Sequence, residues 1–405
     1  MSGDGASWRY LAGVKSSTQP NQHTAFAVTA PGLEPLCAAE LKGLEVRCRV
    51  EDGGVQWSGS LESIARANLW LRTASRVLVR VAEFCATAFY ELELHAKRIA
   101  WDRFVTAGST VEFRVTCRKS KLYHSDAVAQ RFAQAIERRV PDVRIVNAKS
   151  VQDDDDATDN SDRQLFVVRF LHDVCTVSVD SSGALLHRRG YRQQVAKAPL
   201  RETLAAAILL GADWNGDVPL SDPMCGSGTI LIEGARLARL IAPGRDRSFA
   251  FLRWPEVDQQ MWTKLVDQAR ASELPSSPVE IAGADRDAGA IDAARSNAER
   301  AGVAEDIDFR VQPISALSYA EPPGLIASNP PYGVRVGETD ELRNLYAQLG
   351  NVARRQRPGW SLALLSADRR LEQQTRFAFE DKLRTRNGGI PVRIVTARMP
   401  YSPSP

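Results

Sequence analysis

The stretch SNPPYGVRVG (residues 328–337) places a carboxamide, two prolines and a phenol ring directly after the apolar run Leu325-Ile326-Ala327. Prolines end strands, because they donate nothing to a ladder and fix φ, so the run reads as a strand tip. An exocyclic amine on a nucleobase is a poor nucleophile, since its lone pair is delocalised into the ring. Two acceptors aimed at its N–H groups draw it toward sp³ and expose that pair. The Asn329 side-chain oxygen and the Pro330 carbonyl are such acceptors, and proline stiffness holds the carbonyl in place. Tyr332 offers a face for base stacking. Asn329, Pro330, Pro331 and Tyr332 are therefore the candidate catalytic residues, set against the plainer reading of a strand-ending turn.

A second stretch, SDPMCGSGTILIEGA (221–235), reads as strand, glycine-rich loop and helix. Gly226 and Gly228 permit a tight turn and close approach of a ligand to backbone N–H groups at the helix start. No Gly-Lys-Ser/Thr follows, so the phosphate-gripping lysine of a P-loop is missing. Leu231 occupies the third glycine position of G-x-G-x-x-G. The next candidate acid, Asp285, lies far beyond the about 20 residues of the dinucleotide fingerprint. ATP and NAD are thus disfavoured. Asp285 ends the strand VEIAGAD, where a carboxylate can accept hydrogen bonds from ribose hydroxyls. Asp287 reads as the cap of the next helix, and Cys225 as a packed thiol rather than a nucleophile.

The elements that must position these motifs follow from periodicity. From Phe26 to Phe84 the order is β-α-β-β-α-β, a ferredoxin-like α+β unit. A second mixed unit follows, with FYELELHAKRIAWDRFV as a helix and TVEFRVTCRKS as a strand entering a basic turn. From Leu200 onward helix and strand alternate, which predicts a mostly parallel, doubly wound α/β sheet. KLRTRNGGIPVRIVTARM adds an antiparallel edge hairpin turning around Asn387-Gly388. In such sheets ligands bind beyond the carboxyl ends of the strands, and all three motifs fall there.

The 405 residues predict two or three domains, with 44% hydrophobic and 25% charged residues, ordinary for a globular chain. No apolar run has the length to span a bilayer, and the first 22 residues lack a signal peptide's apolar core; a cytoplasmic protein with no membrane partner is expected. The six cysteines form no C-x-x-C pair, so no metal site is expected. Net charge is only +3, which makes its distribution the informative quantity. DDDDATDNSD (153–162) reads as a solvated acidic loop. Bases gather at Arg114, Arg118, Lys119 and Lys121, beside Tyr123 and His124, and again at Arg188, Arg189 and Arg192. Such strips suit phosphate contacts with stacking, and these seven bases are the candidate phosphate-contacting residues.

DPMCGSGT, ADRD and NPPYG in this order resemble the S-adenosylmethionine-dependent amino-methyltransferases. LHRRGYR, PLRETLAAAIL, DPMCGSGTILIEGA and RSFAFLRWPEVDQQMWTKL more narrowly resemble the THUMP-domain guanine-N2 RNA methyltransferases, over nearly the whole chain from Phe26 to Met399. The resemblance implies a flexible tail (1–22), a ferredoxin-like domain (23–85), a THUMP RNA-binding domain (86–182) and a Rossmann-like methyltransferase domain (183–405). It implies S-adenosyl-L-methionine as cofactor, held by Asp222, Pro223, Cys225, Gly226, Ser227, Gly228, Thr229, Asp285, Arg286 and Asn329. It implies RNA as partner: 23S rRNA, or tRNA as the near alternative. Where such enzymes often carry an acid near the adenine, this chain has Pro313, which leaves backbone groups or Ser315 for that contact. Two further readings stay open: an adenine-N6 DNA or glutamine-amide methyltransferase, and a non-catalytic RNA-binding protein.

Overall fold

The computed structural model describes residues 22–147, 162–192, 200–316, 322–332, 339–356 and 359–399. The expected tail up to residue 21, the acidic run up to residue 161 and Gly333 of NPPYG lie outside them. The N-terminal half runs β1 (His23–Thr29), α1 (Glu34–Gly43), β2 (Cys48–Glu51), β3 (Gly54–Gly59), α2 (Leu61–Trp70), β4 (Ala74–Cys85), α3 (Phe89–Arg98), β5 (Thr110–Arg118), α4 (Ser125–Glu137), β6 (Arg144–Asn147), β7 (Arg163–Leu171) and β8 (Val174–Asp180). Strict in–out alternation in β1 buries Ala25 and Ala27 on one face, the period-2 signature of a half-buried strand.

The strands of both N-terminal units join into one eight-stranded sheet, ordered β2-β3-β1-β4-β8-β7-β5-β6. β4 makes the join: its 12 residues pair antiparallel with β1 on one side and β8 on the other. The predicted helix over 89–105 stops at Arg98, and Trp101 sits in a short 3₁₀ turn. There its indole Nε1 donates to the Ala96 carbonyl at 3.0 Å. The ring packs against Phe113, Phe132 and Phe166, so tertiary burial of one aromatic outweighs local helix propensity.

The C-terminal half continues with α5 (Glu202–Gly211), β9 (Leu220–Asp222), α6 (Thr229–Ala238), α7 (Gln259–Ala271), β10 (Ile281–Asp285), α8 (Ala288–Ala301), β11 (Ile307–Val311), β12 (Leu325–Ser328), α9 (Thr339–Gln356), β13 (Ser361–Ser366), α10 (Arg369–Gln374), β14 (Glu380–Asn387) and β15 (Ile390–Arg398). Its sheet is ordered β11-β10-β9-β12-β13-β15-β14. The chain leaves β9 toward β11, then returns to the other side of β9 as β12. This reversal is the switch point at which open sheets bind ligands. The terminal hairpin is antiparallel, as expected, but its turn is Gly388-Gly389, both with positive φ. Asn387 is the last paired residue of β14, opposite Ile390. A shift of one residue along a strand exchanges its faces, so Asn387 belongs to the sheet and not to the turn.

The two halves are welded by a buried ionic cluster. Glu233 of α6 is 1% exposed and accepts from the Tyr191 hydroxyl at 3.0 Å. Arg189 and Arg72 stand 3.6 and 3.9 Å from its carboxylate. Arg72, just after α2, also donates to the Ile241 carbonyl at 2.8 Å, and Arg189 donates to the Arg72 carbonyl at 2.7 Å. Removing the acid takes away the counter-charge nearest two buried guanidinium groups. Glu233→Ala should therefore lower unfolding stability by about 3–5 kcal/mol, read as a fall in the denaturation midpoint; a loss within experimental error would remove the cluster's role.

Candidate active site

Adjacent parallel strands bring the motifs together. Gly283 of β10 pairs with Asp222 of β9, and Ile326 of β12 pairs with Ser221. The carboxyl ends therefore carry Asp222, Asp285 and Asn329 to one rim. Ser328 Oγ donates to Asp222 Oδ1 at 2.7 Å, and the Met224 amide donates to the same oxygen at 3.0 Å. This bond ties the Asn-Pro-Pro-Tyr tip to the glycine-rich loop. Ser328 was not among the residues expected to matter; the only local signal is its place directly before Asn329.

The loop itself is built from backbone conformations that glycine tolerates. Gly226 and Gly228 have φ of 51° and 81°, and a Cβ on Gly228 would lie about 3 Å from Ala294 and the Phe309 ring. A Cβ on Gly226 would meet nothing within 4 Å, so the space over that residue is open to a ligand. Gly226 N–H donates to Asp285 Oδ2 and Asp287 N–H to Asp285 Oδ1, both at 3.0 Å. Asp285 thus spans the loop and the start of α8, with lone pairs remaining on each oxygen. Asp287 caps α8 as expected, accepting from the Gly289 and Ala290 amides. The start of α6 has no side-chain cap, which leaves its first N–H groups for other acceptors.

Pro223, Ser227, Thr229 and Cys225 are buried in the loop, while Arg286 is exposed. Burial pushes the Cys225 thiol well up, so it stays neutral and is a packing residue. Asp222 is 2% exposed. Burial, reinforced by the nearby charge of Asp285, pushes its carboxyl up to about 7, against the bonds from Ser328 and Met224 that favour the anion. A cationic ligand beside Asp222 would oppose that rise. Pro313 and Ser315, past the end of β11, are exposed.

At the tip of β12 Pro330 is buried, Asn329 and Tyr332 are half-buried and Pro331 is exposed. The Tyr332 hydroxyl donates to Asn329 Oδ1. Asn387 Nδ2 in turn donates to the Tyr332 hydroxyl at 3.3 Å. Burial raises the Tyr332 phenol to about 12, so it remains a hydrogen-bond donor. The sequence assigned this ring only a stacking face; its hydroxyl also holds the neighbouring amide.

The basic groups divide. Arg118, Lys119, Lys121, Tyr123 and His124 are exposed around the end of β5, with Tyr123 67% exposed and its ring 4.0 Å from that of His124. The turn is held by Lys121 N–H donating to Asp173 Oδ1 at 2.7 Å. Arg114 and Arg188 are half-buried and engaged within the protein. Arg189 corrects an expectation: it is 5% exposed and committed to Glu233 and two carbonyls, so no phosphate reaches it. Arg192 is largely buried too, donating to the Leu200 carbonyl at 2.5 Å and pairing with Glu202 at 3.4 Å. Their clustering in sequence reflects a packed junction. Among the described residues no group of acids, cysteines and histidines could hold a metal ion, and no helix is long and apolar enough to cross a membrane.

A doubly wound sheet with a glycine loop after its central strand and Asn-Pro-Pro-Tyr on the neighbouring tip defines a group-transfer enzyme of the methyltransferase class. Residues 189–395 match the family described as the RMKL-like methyltransferase domain, and residues 24–78 match the RlmL ferredoxin-like domain. A Synechocystis protein named provisionally as an RNA methyltransferase is 34% identical over 91% of this chain and 95% of its own length. The ribosomal RNA large subunit methyltransferase K/L of Syntrophotalea carbinolica is 37% identical over 91% of this chain, which spans 53% of that longer protein. Among solved structures, SMU.472, described provisionally as a methyltransferase and complexed with SAH, superposes with a TM-score of 0.82 at 30% identity, over 96% of this chain and 100% of its own. A Listeria monocytogenes protein, described by prediction as an N6-adenine-specific DNA methylase, gives 0.81 at 32% identity over 94% of this chain and 96% of its own. The chain belongs to the RMKL-like methyltransferase family.

The raised Asp222 carboxyl makes a signed prediction. Folding favours its protonated form, so its contribution is complete below about pH 4 and is lost as pH rises through about 7. The stability of the wild type relative to Asp222→Asn should decline across that window in denaturant titrations. A difference that does not change with pH rules out titration of Asp222.

Proposed function

We propose that the chain transfers a methyl group from S-adenosylmethionine to the exocyclic N2 amine of a guanosine in RNA, with 23S rRNA as the foremost substrate. The observation that carries this reading is the bond from Ser328 to Asp222, which sets the acceptors of Asn329 and Pro330 beside the glycine-rich loop. The residues fit the donor: Asp285 has lone pairs for ribose hydroxyls, the space over Gly226 is open, and the buried Asp222 suits a ligand that bears positive charge. When bound, S-adenosylmethionine supplies a methyl carbon whose bond to sulfur breaks as the amine nitrogen bonds it, the electron pair going to sulfur.

The protein's part is positioning. Asn329 Oδ1 and the Pro330 carbonyl accept from the target N–H groups, and the amine proton departs to solvent with or after transfer. No strong general base is required, because the sulfonium is already a good leaving group and alignment supplies most of the acceleration. A base inside a helix cannot reach this rim, so the guanosine must be flipped out or single-stranded. Arg118, Lys119 and Lys121 with Tyr123 form the exposed strip that suits phosphate and base contacts. In this reading residues 23–85 and a THUMP unit at 86–182 deliver RNA to a catalytic domain at 183–405.

The names of the Synechocystis and Syntrophotalea relatives support RNA as substrate. The same guanine-N2 chemistry on tRNA is the alternative, and adenine-N6 methylation of DNA is favoured only by the name of the Listeria relative. Mass-spectrometric mapping of methylated guanosines in RNA from cells lacking the gene separates these: one N2-methylguanosine should disappear from 23S rRNA and return with the wild-type gene. An unchanged map of both rRNA and tRNA rejects the proposal. Asn329→Ala should fail to restore the methyl group while keeping cofactor affinity within a few-fold; wild-type turnover by that variant removes the amine-site assignment. Asp285→Ala should weaken cofactor binding, measured by calorimetry, without unfolding the chain, and undiminished affinity would refute the role given to its carboxylate.

A further inference from the structure

A carboxamide is nearly symmetric in shape: its oxygen and its NH₂ occupy similar space and differ only in accepting or donating. For Asn329 the difference decides function, since only the oxygen can accept from a target amine. Something must therefore choose between the two flips. The Tyr332 hydroxyl donates to Asn329 Oδ1, and a hydroxyl has one proton to give. Asn387 Nδ2 donates into the same hydroxyl at 3.3 Å, which directs that one proton away from Asn387 and toward Asn329.

Asn387 lies 55 residues beyond Tyr332 in sequence. It is the last ladder residue of β14, one position before the Gly388-Gly389 turn, and the positive φ angles belong to the glycines. Its side chain is thus free of turn duty and half-buried against Tyr332. The hairpin is itself anchored. Gly32, with φ of 88°, brings the loop before α1 so close to β14 that a Cβ there would lie 1.8 Å from the Arg384 carbonyl oxygen. Leu33 beside it is buried in the catalytic core.

We propose that Asn387 is a positioning residue for methyl transfer: through the Tyr332 hydroxyl it fixes the Asn329 carboxamide with its oxygen as the acceptor for the target amine. This deepens the function proposed above and rests on it. Asn387 touches neither substrate nor donor in this scheme. Its effect passes wholly through one hydroxyl, which separates the proposal from a role in hairpin stability.

The test is a double-mutant cycle with an isosteric reversal. Asn387→Ala should lower kcat about tenfold, the loss expected of one hydrogen bond, with KM for S-adenosylmethionine within about twofold of wild type. In a Tyr332→Phe background the same substitution should cost nothing further. Asn387→Asp keeps the shape but accepts instead of donating. It should pull the Tyr332 proton toward itself, let the hydroxyl accept from a flipped Asn329, and reduce kcat more than alanine does. A purely structural role gives the opposite order, with aspartate milder than alanine. Full additivity of the two single variants, or wild-type kcat for Asn387→Asp, overturns the proposal. A second readout needs no turnover: in the full chain with asparagine side chains isotopically labelled, the Asn329 amide resonances should shift in both Asn387→Ala and Tyr332→Phe. Absence of methyl transfer by the wild type would defeat the functional reading, while these resonances would still decide the relay; if they stay in place in Asn387→Ala, the relay is wrong.

Discussion

A single buried hydrogen bond, from the Ser328 hydroxyl to the Asp222 carboxylate at 2.7 Å, ties the tip of β12 to the end of β9 at the candidate site. Both residues are strand-terminal, and parallel pairing of β9 and β12 leaves their ends side by side. The bond is made where the sheet can no longer supply backbone partners. It satisfies a carboxyl that burial would otherwise leave costly, and it holds the Asn-Pro-Pro-Tyr backbone against the loop that follows β9. Asp285 does the corresponding work across β10, accepting from Gly226 and from the start of α8. Two acids thus brace a loop whose glycines have no side chains with which to brace themselves.

The same economy of charge governs the junction between the halves. Glu233 sits on a helix buried along its whole length, with guanidinium groups arriving from the segments after α2 and after β8. Buried ion clusters are weak sources of net stability but strong sources of geometry, because a misplaced partner leaves an uncompensated charge. This accounts for Arg189, which belongs by sequence to a basic strip and by structure to the interior. The exposed bases, Arg118, Lys119 and Lys121, lie instead around the end of β5.

Much of the rim was readable in the chain before its fold was known. The glycine loop, the strand-ending acid and the proline-stiffened tip are local patterns, each made by neighbours in sequence and each needing only a strand end to act. The alternation of helix and strand after Leu200 placed those ends on one edge. What escaped was whatever depended on register. The join of two predicted units through β4 and β8 is a pairing between strands far apart in the chain, and hydrophobic alternation carries no signal of which strand is the neighbour. Trp101 left its helix for the same kind of reason, a ring whose partners Phe113, Phe132 and Phe166 come from other elements.

Asn387 shows the division most clearly. As a sequence, Arg386-Asn387-Gly388-Gly389 is turn material, and an asparagine before glycine is expected to serve the turn. The structure moves the turn one residue on, and the alternation of strand faces then aims the side chain at Tyr332 instead of solvent. The sequence alone determined the chemistry available: an amide, a phenol, two carboxylates and a loop without side chains. Only the tertiary structure decided which of these meet, because contact among Asp222, Asn329 and Asn387 follows from strand order and register, which are set by packing across the whole sheet.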